Sequence, residues 1–330
     1  MDFDLTEDQK EIKRVAHELL ASRSPFAKVR EAAEASEYDG ALWAELVELG
    51  WPGIAVAEEY GGQGLGAIEL AVLLEELGYA CAATPFLSTA TAAAVIQAAG
   101  SSEQRKRWLG GLVSGEITAG IGTSELAADA AGAALVLLID DESADVQLLE
   151  APEADPLVSI DATRRFARVR GEGEPLGAGA ADRFRAAVAA EVVGVCQRAL
   201  DMTIDYVKER EQFGVPVGSF QAVSHRCAEM LFQTESARSA GYYAAWAAGA
   251  DPDRLAEAAA LAGATAADGG REVTASAIQM HGGIGFTWEA DVHWLFKRAQ
   301  LDTALLGGSK RHRAALAGHA AARVRERVTA

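Results

Sequence analysis

The chain has 330 residues, half of them hydrophobic and about a quarter charged, a composition that excludes a disordered protein and is long enough for two or three subdomains. Its formal net charge of -18 argues against general nucleic-acid binding, because a phosphate backbone would be repelled. Three widely spaced cysteines without a C-x-x-C pair (Cys81, Cys196, Cys227) and an acidic start with no apolar run of membrane length argue against zinc, a disulfide framework, a signal peptide and a membrane span, so a cytoplasmic protein with reduced thiols is expected.

Thr6 and Gln9 form a capping box, and Ile12, Val15 and Leu19 follow at helical spacing. Helical patterns recur over 40–50, 66–77, 84–99 and 102–114. Between the first two of these lies a glycine-rich loop over 51–66, for which a structural role is expected. The texture changes at 119. The runs 134–139, 144–149 and 165–170 read as short strands, and Pro152, Pro156 and Pro175 punctuate the segment. From 178 onward the pattern is helical again, over 181–208, 220–248, 253–281 and 300–327, with short breaks that imply an antiparallel bundle. The expected division is a helical domain over 1–118, a small β-domain over 119–177 and a helical bundle over 178–330.

The densest turn chemistry in the second half lies from Glu209 to Gln221, where Gly214, Pro216 and Gly218 separate two long helical patterns. Ser219 is the expected cap of the second helix. Arg210 stands at the end of the first. There it either complements the helix dipole or grips a phosphate with its planar fork. Gln212 and Phe213 share that end, and Gln221 opens the next helix. Further on, Gln279-Met280-His281-Gly282-Gly283 ends a third helical pattern with paired glycines. These are either a glycine cap with a turn or a place where a ligand approaches the backbone. His281 has no partner at metal-ligand spacing and reads as a capping histidine.

Five tags occur in order: Trp43 to Trp51, Glu58-Glu59-Tyr60-Gly61-Gly62-Gln63-Gly64, Arg210-Glu211-Gln212-Phe213-Gly214, Ser219-Phe220-Gln221 and Gln279 to Gly285. Together they span nearly the whole chain, and on them the sequence resembles the acyl-CoA dehydrogenase family of flavoproteins. The resemblance implies a mainly α fold: an N-terminal helical domain, a middle β-domain (shortened here) and a C-terminal four-helix bundle. It also implies that Arg210, Gln212, Phe213, Gln221, Gln279, Gly282 and Gly283 hold the pyrophosphate and adenosine end of a neighbouring subunit's FAD. That agrees with what an arginine fork, amide groups and bare backbone can offer a diphosphate.

The family reaction needs a carboxylate to take the proton α to the thioester. At the two places where members carry it, this chain has Gly307 and Phe184. Asp182, two residues from Phe184 and about 200° round the helix, and Asp302, more than a turn before Gly307, are poor substitutes. No tryptophan lies between Leu109 and Ala245, although members keep one beside the flavin ring. The flavin-lining run survives only as Thr123-Ser124-Glu125-Leu126, which leaves Ser124 a weak candidate. The expectation is therefore a subunit of an α2β2 acyl-CoA dehydrogenase acting on a bulky, steroid-side-chain type CoA ester in lipid breakdown. It would share FAD with a partner that carries the catalytic glutamate and pass electrons to an external acceptor. The alternatives are a homomeric enzyme with another base and a non-catalytic structural subunit.

Overall fold

Thr6 starts the first helix as expected. Its hydroxyl accepts from the Gln9 amide and the Gln9 side chain answers on the Thr6 amide, so two otherwise orphaned donors are satisfied at α1 (Glu7–Arg23). The computed structural model describes residues 4–140 and 143–329. Five more helices follow: α2 (Phe26–Ala35), α3 (Gly40–Glu48), α4 (Ala67–Tyr79), α5 (Phe86–Ala99) and α6 (Ser102–Val113). Of these α2 was not expected. It begins after Pro25 and buries only Val29, Ala32 and Ala33, too little apolar spacing to stand out in sequence. The glycine-rich loop over 51–66 closes on itself: Gln63 donates to the Leu49 carbonyl, and a side chain on Gly62 would overlap the Val56 carbonyl. Packing explains Gly53 and Gly62, and a left-handed backbone explains Gly61 and Gly64.

The middle segment forms one seven-stranded sheet. Its strands are β1 (Ala119–Thr123), β2 (Leu126–Ala128), β3 (Leu135–Ile139), β4 (Val146–Glu150), β5 (Glu153–Leu157), β6 (Phe166–Arg170) and β7 (Gly173–Pro175), in the order β5-β6-β2-β1-β3-β4-β7. Every pairing is antiparallel except β1 with β3. Three strands fall where the pattern puts them and four do not. Pro156 and Pro175 sit within β5 and β7, the two edges of the sheet, where a missing N–H costs no ladder bond. Alternation sets the faces: Leu135, Leu137 and Ile139 join the main core, while Val136 packs with Ala127, Leu149 and Ala167 on the other side.

The third segment holds α7 (Ala180–Glu209), a two-residue hairpin β8 (Glu211–Gln212) and β9 (Val215–Pro216), α8 (Gln221–Ala250), α9 (Leu255–His281), α10 (Val292–Leu305) and α11 (Ser309–Thr329). The helical pattern over 300–327 is two helices rather than one. Gly307 and Gly308, both in the left-handed region, accept the turn between them, and the buried His312 fixes it by bonding the Leu306 carbonyl at 2.8 Å. Residue pairings give the directions. Val193 of α7 meets Gly241 near the end of α8 while Val207 meets Gly218 just before α8 begins, so α8 runs against α7, and Gly269 of α9 meets Gln233 of α8. Gly270 of α9 lies against Ala299 and Gly263 against His312, so α10 and α11 share the fourth position of the bundle.

α7 is the central rod, buried along most of its length. It crosses α4 closely enough that a Cβ on Gly194 would overlap the Glu75 carbonyl, and one on Gly78 the Glu191 carbonyl. Among the described residues no helix is long and apolar enough to cross a membrane. The three cysteines are free, with Cys81 and Cys196 buried.

Candidate functional site

α7 and α9 run parallel, because Val192 meets Gly270 near their middles and Tyr206 meets His281 near their ends. α8, antiparallel to both, begins where they finish. One end of the bundle therefore gathers Arg210, Gln212 and Phe213 after α7, Gln221 at the first turn of α8, and Gln279, Gly282 and Gly283 at the end of α9. All seven are exposed.

The tie that sets this end is an aromatic stack. The Tyr206 and His281 rings lie 4.5 Å apart at 20°, and the His281 Nδ1 is 2.7 Å from the Ala277 carbonyl. Burial holds the His281 pKa below its usual value, so the ring is neutral at neutral pH and serves as a spacer. Neither residue's part in this was legible as a pair, since they stand 75 positions apart.

Arg210 closes α7 in extended backbone geometry. Its N–H donates to the Tyr206 carbonyl and its own carbonyl accepts from Val217 at 2.7 Å, which seals the β8–β9 hairpin. Its guanidinium makes no hydrogen bond or ion pair within the described chain. At the tip of the hairpin Phe213 (φ 56) and Gly214 (φ 79) are both left-handed, the conformation for which asparagine-glycine is favoured. Phe213 holds it with its ring 93 % exposed, touching Phe220 edge-on at 6.2 Å.

Ser219 does not cap α8. Phe220 takes that position without a side-chain bond, and the Ser219 hydroxyl donates to the Pro216 carbonyl at 2.7 Å. Gln212 turns its amide onto the Glu211 carbonyl at 2.7 Å. Gly282 (φ 64, ψ -141) needs to be glycine, and a Cβ on it or on Gly283 would meet nothing within 4 Å. The space over this end is open.

The two places named for a base hold none. Phe184 is 1 % exposed in the core, and Gly307 lies on the α10–α11 turn. Asp182 accepts from Arg185 at 3.0 Å. Asp302 is fully buried, and both its oxygens are sealed from solvent without a hydrogen-bond partner. Burial, then the neighbouring Glu191, push its pKa well above the carboxylate range, which favours the neutral acid.

Beside it lies an ionic cluster that sequence reading missed. The wholly buried Arg298 of α10 donates to Asp161 at 2.7 Å, Thr163 at 2.6 Å, Glu191 at 3.3 Å and the Ala82 carbonyl at 3.3 Å. Arg164 donates to both oxygens of Glu191, at 2.6 and 2.9 Å. Burial works to raise the Asp161 pKa, but Arg298 and the Thr163 hydrogen bond hold it below the usual range. The cluster fastens the sheet to α7 and α10. Ser124, the weak candidate, sits exposed at the β1–β2 turn with φ 52. Among the described residues no group of His, Cys, Asp and Glu could hold a metal ion.

Comparison with known proteins decides the family. Models described as acyl-CoA dehydrogenase, N-terminal domain, and acyl-CoA dehydrogenase, C-terminal domain, match residues 6–116 and 171–321. The chain is 34 % identical over 308 residues to the acyl-CoA dehydrogenase IpdE2 of Mycolicibacterium smegmatis, across 92 % of this chain and 96 % of that protein. It belongs to the acyl-CoA dehydrogenase family.

A chain of the ChsE4-ChsE5 complex from Mycobacterium tuberculosis superposes with a TM-score of 0.85 at 25 % identity, over 97 % of this chain and 99 % of that chain. A chain of the Tcur3481-Tcur3483 steroid ACAD, in a variant form, gives 0.83 at 28 % identity over 96 % and 99 %. The butyryl-CoA dehydrogenase of Megasphaera elsdenii, at 23 % identity and 0.83, shares the fold.

Acyl-CoA dehydrogenases are FAD-dependent, and the gathered residues fit the nucleotide end of that cofactor. The guanidinium is unpaired, the aromatic ring is presented to solvent at a cost in backbone strain, and the glycine backbone faces open space. The seam between sheet and bundle offers no such vacancy to a flavin ring at the ionic cluster, whose side chains fill it.

Proposed function

We propose that this chain is one subunit of a heteromeric acyl-CoA dehydrogenase. It lends the half-site for the ADP portion of an FAD whose ring lies with a partner subunit. The reading rests on one asymmetry: the bundle end keeps an unpaired Arg210, an outward Phe213 and the bare Gly282-Gly283 backbone, while both base positions lack a carboxylate. When bound, FAD takes the β-hydride of the acyl thioester.

In this reading Arg210 forks onto the diphosphate, Gln212, Gln221 and Gln279 supply amide hydrogen bonds, and Phe213 covers the nucleotide. The partner supplies the glutamate that removes the α-proton, because neither Gly307 nor the sealed Asp302 can reach one. Three units, over 1–118, 119–177 and 178–330, make up the chain in this account. The shortened middle unit opens room for a bulky CoA ester. The steroid dehydrogenase and the two-subunit complex among its structural neighbours favour that substrate class and an α2β2 assembly, with an external electron acceptor.

Flavin absorbance against protein concentration tests this. The chain purified alone is expected to carry little FAD, and the complex purified with its partner one FAD per heterodimer. Arg210→Ala in the complex is expected to weaken FAD retention roughly tenfold or more, the scale of a lost charge-assisted pair, with assembly intact. Stoichiometric FAD and acyl-CoA turnover by the isolated chain would favour a homomeric enzyme. A complex whose flavin content ignores Arg210→Ala would mean a structural subunit.

A further inference from the structure

Where α1 turns into α2, against the end of α4 and one side of α7, lies a cavity of about 120 Å³, several times the space that one water needs. Its cation is Arg198 of α7. The guanidinium lies 5.3 Å from the Phe26 ring and 5.0 Å from the Tyr79 ring. It makes one hydrogen bond, from Nη1 to the Tyr79 hydroxyl at 3.2 Å, and no ion pair among the described residues. Contact with two rings fixes the plane of the fork while its remaining N–H groups stay unanswered.

Two further polar groups border the cavity. Ser24 is 7 % exposed, yet its hydroxyl has no hydrogen-bond partner among the described residues, whereas buried hydroxyls are ordinarily partnered. It precedes Pro25, which opens the ten-residue α2 without a side-chain cap, so that helix start adds unanswered N–H groups beside Phe26. His17 bonds Glu76 through Nδ1 at 2.8 Å, which leaves its Nε2 without a partner. Glu76 is the acid in the wall, and it is engaged by His17 and by Lys13 at 3.7 Å. Much of the remaining wall is apolar, with Leu20 and Ala80.

We infer that this cavity binds a short aliphatic monocarboxylate, its carboxylate held by Arg198 and the Ser24 hydroxyl and its tail against Leu20 and Ala80. The volume excludes a nucleotide or a whole CoA ester. Arg198 stands twelve residues before Arg210 on the same helix, about 18 Å of rise, so the site is separate from the end of the bundle assigned to FAD. Charge sets the class. A phosphate dianion would bring a second negative charge against Glu76 and against Asp201, which accepts from the Tyr79 hydroxyl at 3.1 Å. A neutral amide would leave the guanidinium without a countercharge.

The test uses the full chain with sodium propionate as probe, and sodium phosphate and propionamide as competitors of other chemistry, at constant ionic strength. Saturation-transfer NMR on the propionate methyl and the propionate-induced rise in thermal midpoint both read occupancy. Propionate is expected to saturate one site with a Kd on the order of 1 mM, and the other two to bind several-fold more weakly. Arg198→Lys keeps the charge and loses the fork, and is expected to weaken propionate roughly tenfold. Ser24→Ala is expected to weaken it about threefold with the midpoint of the unliganded chain nearly unchanged. A lysine variant that melts earlier yet gains as much from propionate as wild type would make Arg198 a brace and overturn the inference. If that variant does not fold, Ser24→Ala decides, and binding that it leaves unmoved overturns the inference too. So does equal binding of propionamide, tighter binding of phosphate, or the lack of saturable binding by the wild-type chain. Flavin retention enters none of these readouts, so the proposed function is tested apart from this site.

Discussion

Phe213 holds a left-handed backbone that costs a side chain of its shape on the order of 1 kcal/mol, and its exposed ring recovers almost nothing within the chain. Such an outlier at a helix-end cluster points to a role that the isolated fold does not supply. Asparagine before Gly214 would suit the hairpin turn far better. Phe213→Asn is therefore expected to raise the thermal midpoint of the isolated chain while lowering FAD retention in the complex. A variant that keeps full flavin would show that the ring covers nothing.

The tags around Arg210 and Gly282 could be read in sequence because each is local. The strain at Phe213 could not, because it depends on which turn joins β8 to β9. Nor could the raised pKa of Asp302, which depends on burial beside Glu191 and Asp161, 111 and 141 positions earlier. Its pKa is raised in the fold, so the unfolded chain releases that proton first, and stability is lost as pH rises from the ordinary carboxylate range towards the folded value. Asp302→Asn keeps the shape of the neutral acid and removes the liability. Urea unfolding is expected to show the variant gaining over wild type by about 1.4 kcal/mol per pH unit within that window, with the gain at pH 8 no smaller than at pH 5. A gain confined to acid would mean the carboxyl is ionised in the native state.

At the scale of elements, α10 carries the sheet on the bundle. Arg298 has all its partners on other segments, from the β5–β6 connection (Asp161, Thr163), α7 (Glu191) and the α4–α5 turn (Ala82). Taking away the cation leaves Asp161 buried without its countercharge while Glu191 keeps only Arg164, and single-partner removals of this kind cost about 3–5 kcal/mol. Arg298→Leu is expected to lose that much in urea unfolding, and a loss under about 1 kcal/mol would mean water had entered the seam.

The long helices around this seam were legible because their apolar spacing persists for six turns or more. The sheet was only half legible, for a physical reason. β1 is interrupted by Gly120 and Gly122, β2 and β7 have three residues each, and β5 carries Pro156, so tertiary pairing and not local propensity makes them strands. The split of the last helix was readable in Gly307-Gly308 and was overridden by the apolar pattern on either side.

For the whole molecule, the question is whether the missing base is the only thing separating this chain from a self-sufficient dehydrogenase. The fold argues that it is not. A glutamate at Gly307 would enter a position with φ 76, which disfavours any side chain. One at Phe184 would replace a ring 1 % exposed in the core, where a carboxylate without a partner would stay protonated and could not act as a base. Beyond either graft, the seam that joins sheet to bundle is occupied by Arg298, Arg164, Asp161 and Glu191. Gly307→Glu, Phe184→Glu and the pair are thus expected to leave the isolated chain without stoichiometric flavin and without acyl-CoA dehydrogenation in an artificial-acceptor assay. Wild-type chain assembled with its partner should show both. Turnover by a grafted chain alone would mean that the cleft opens readily and that only the carboxylate had been lost, which would move the division of labour from the architecture of the pair to a single side chain.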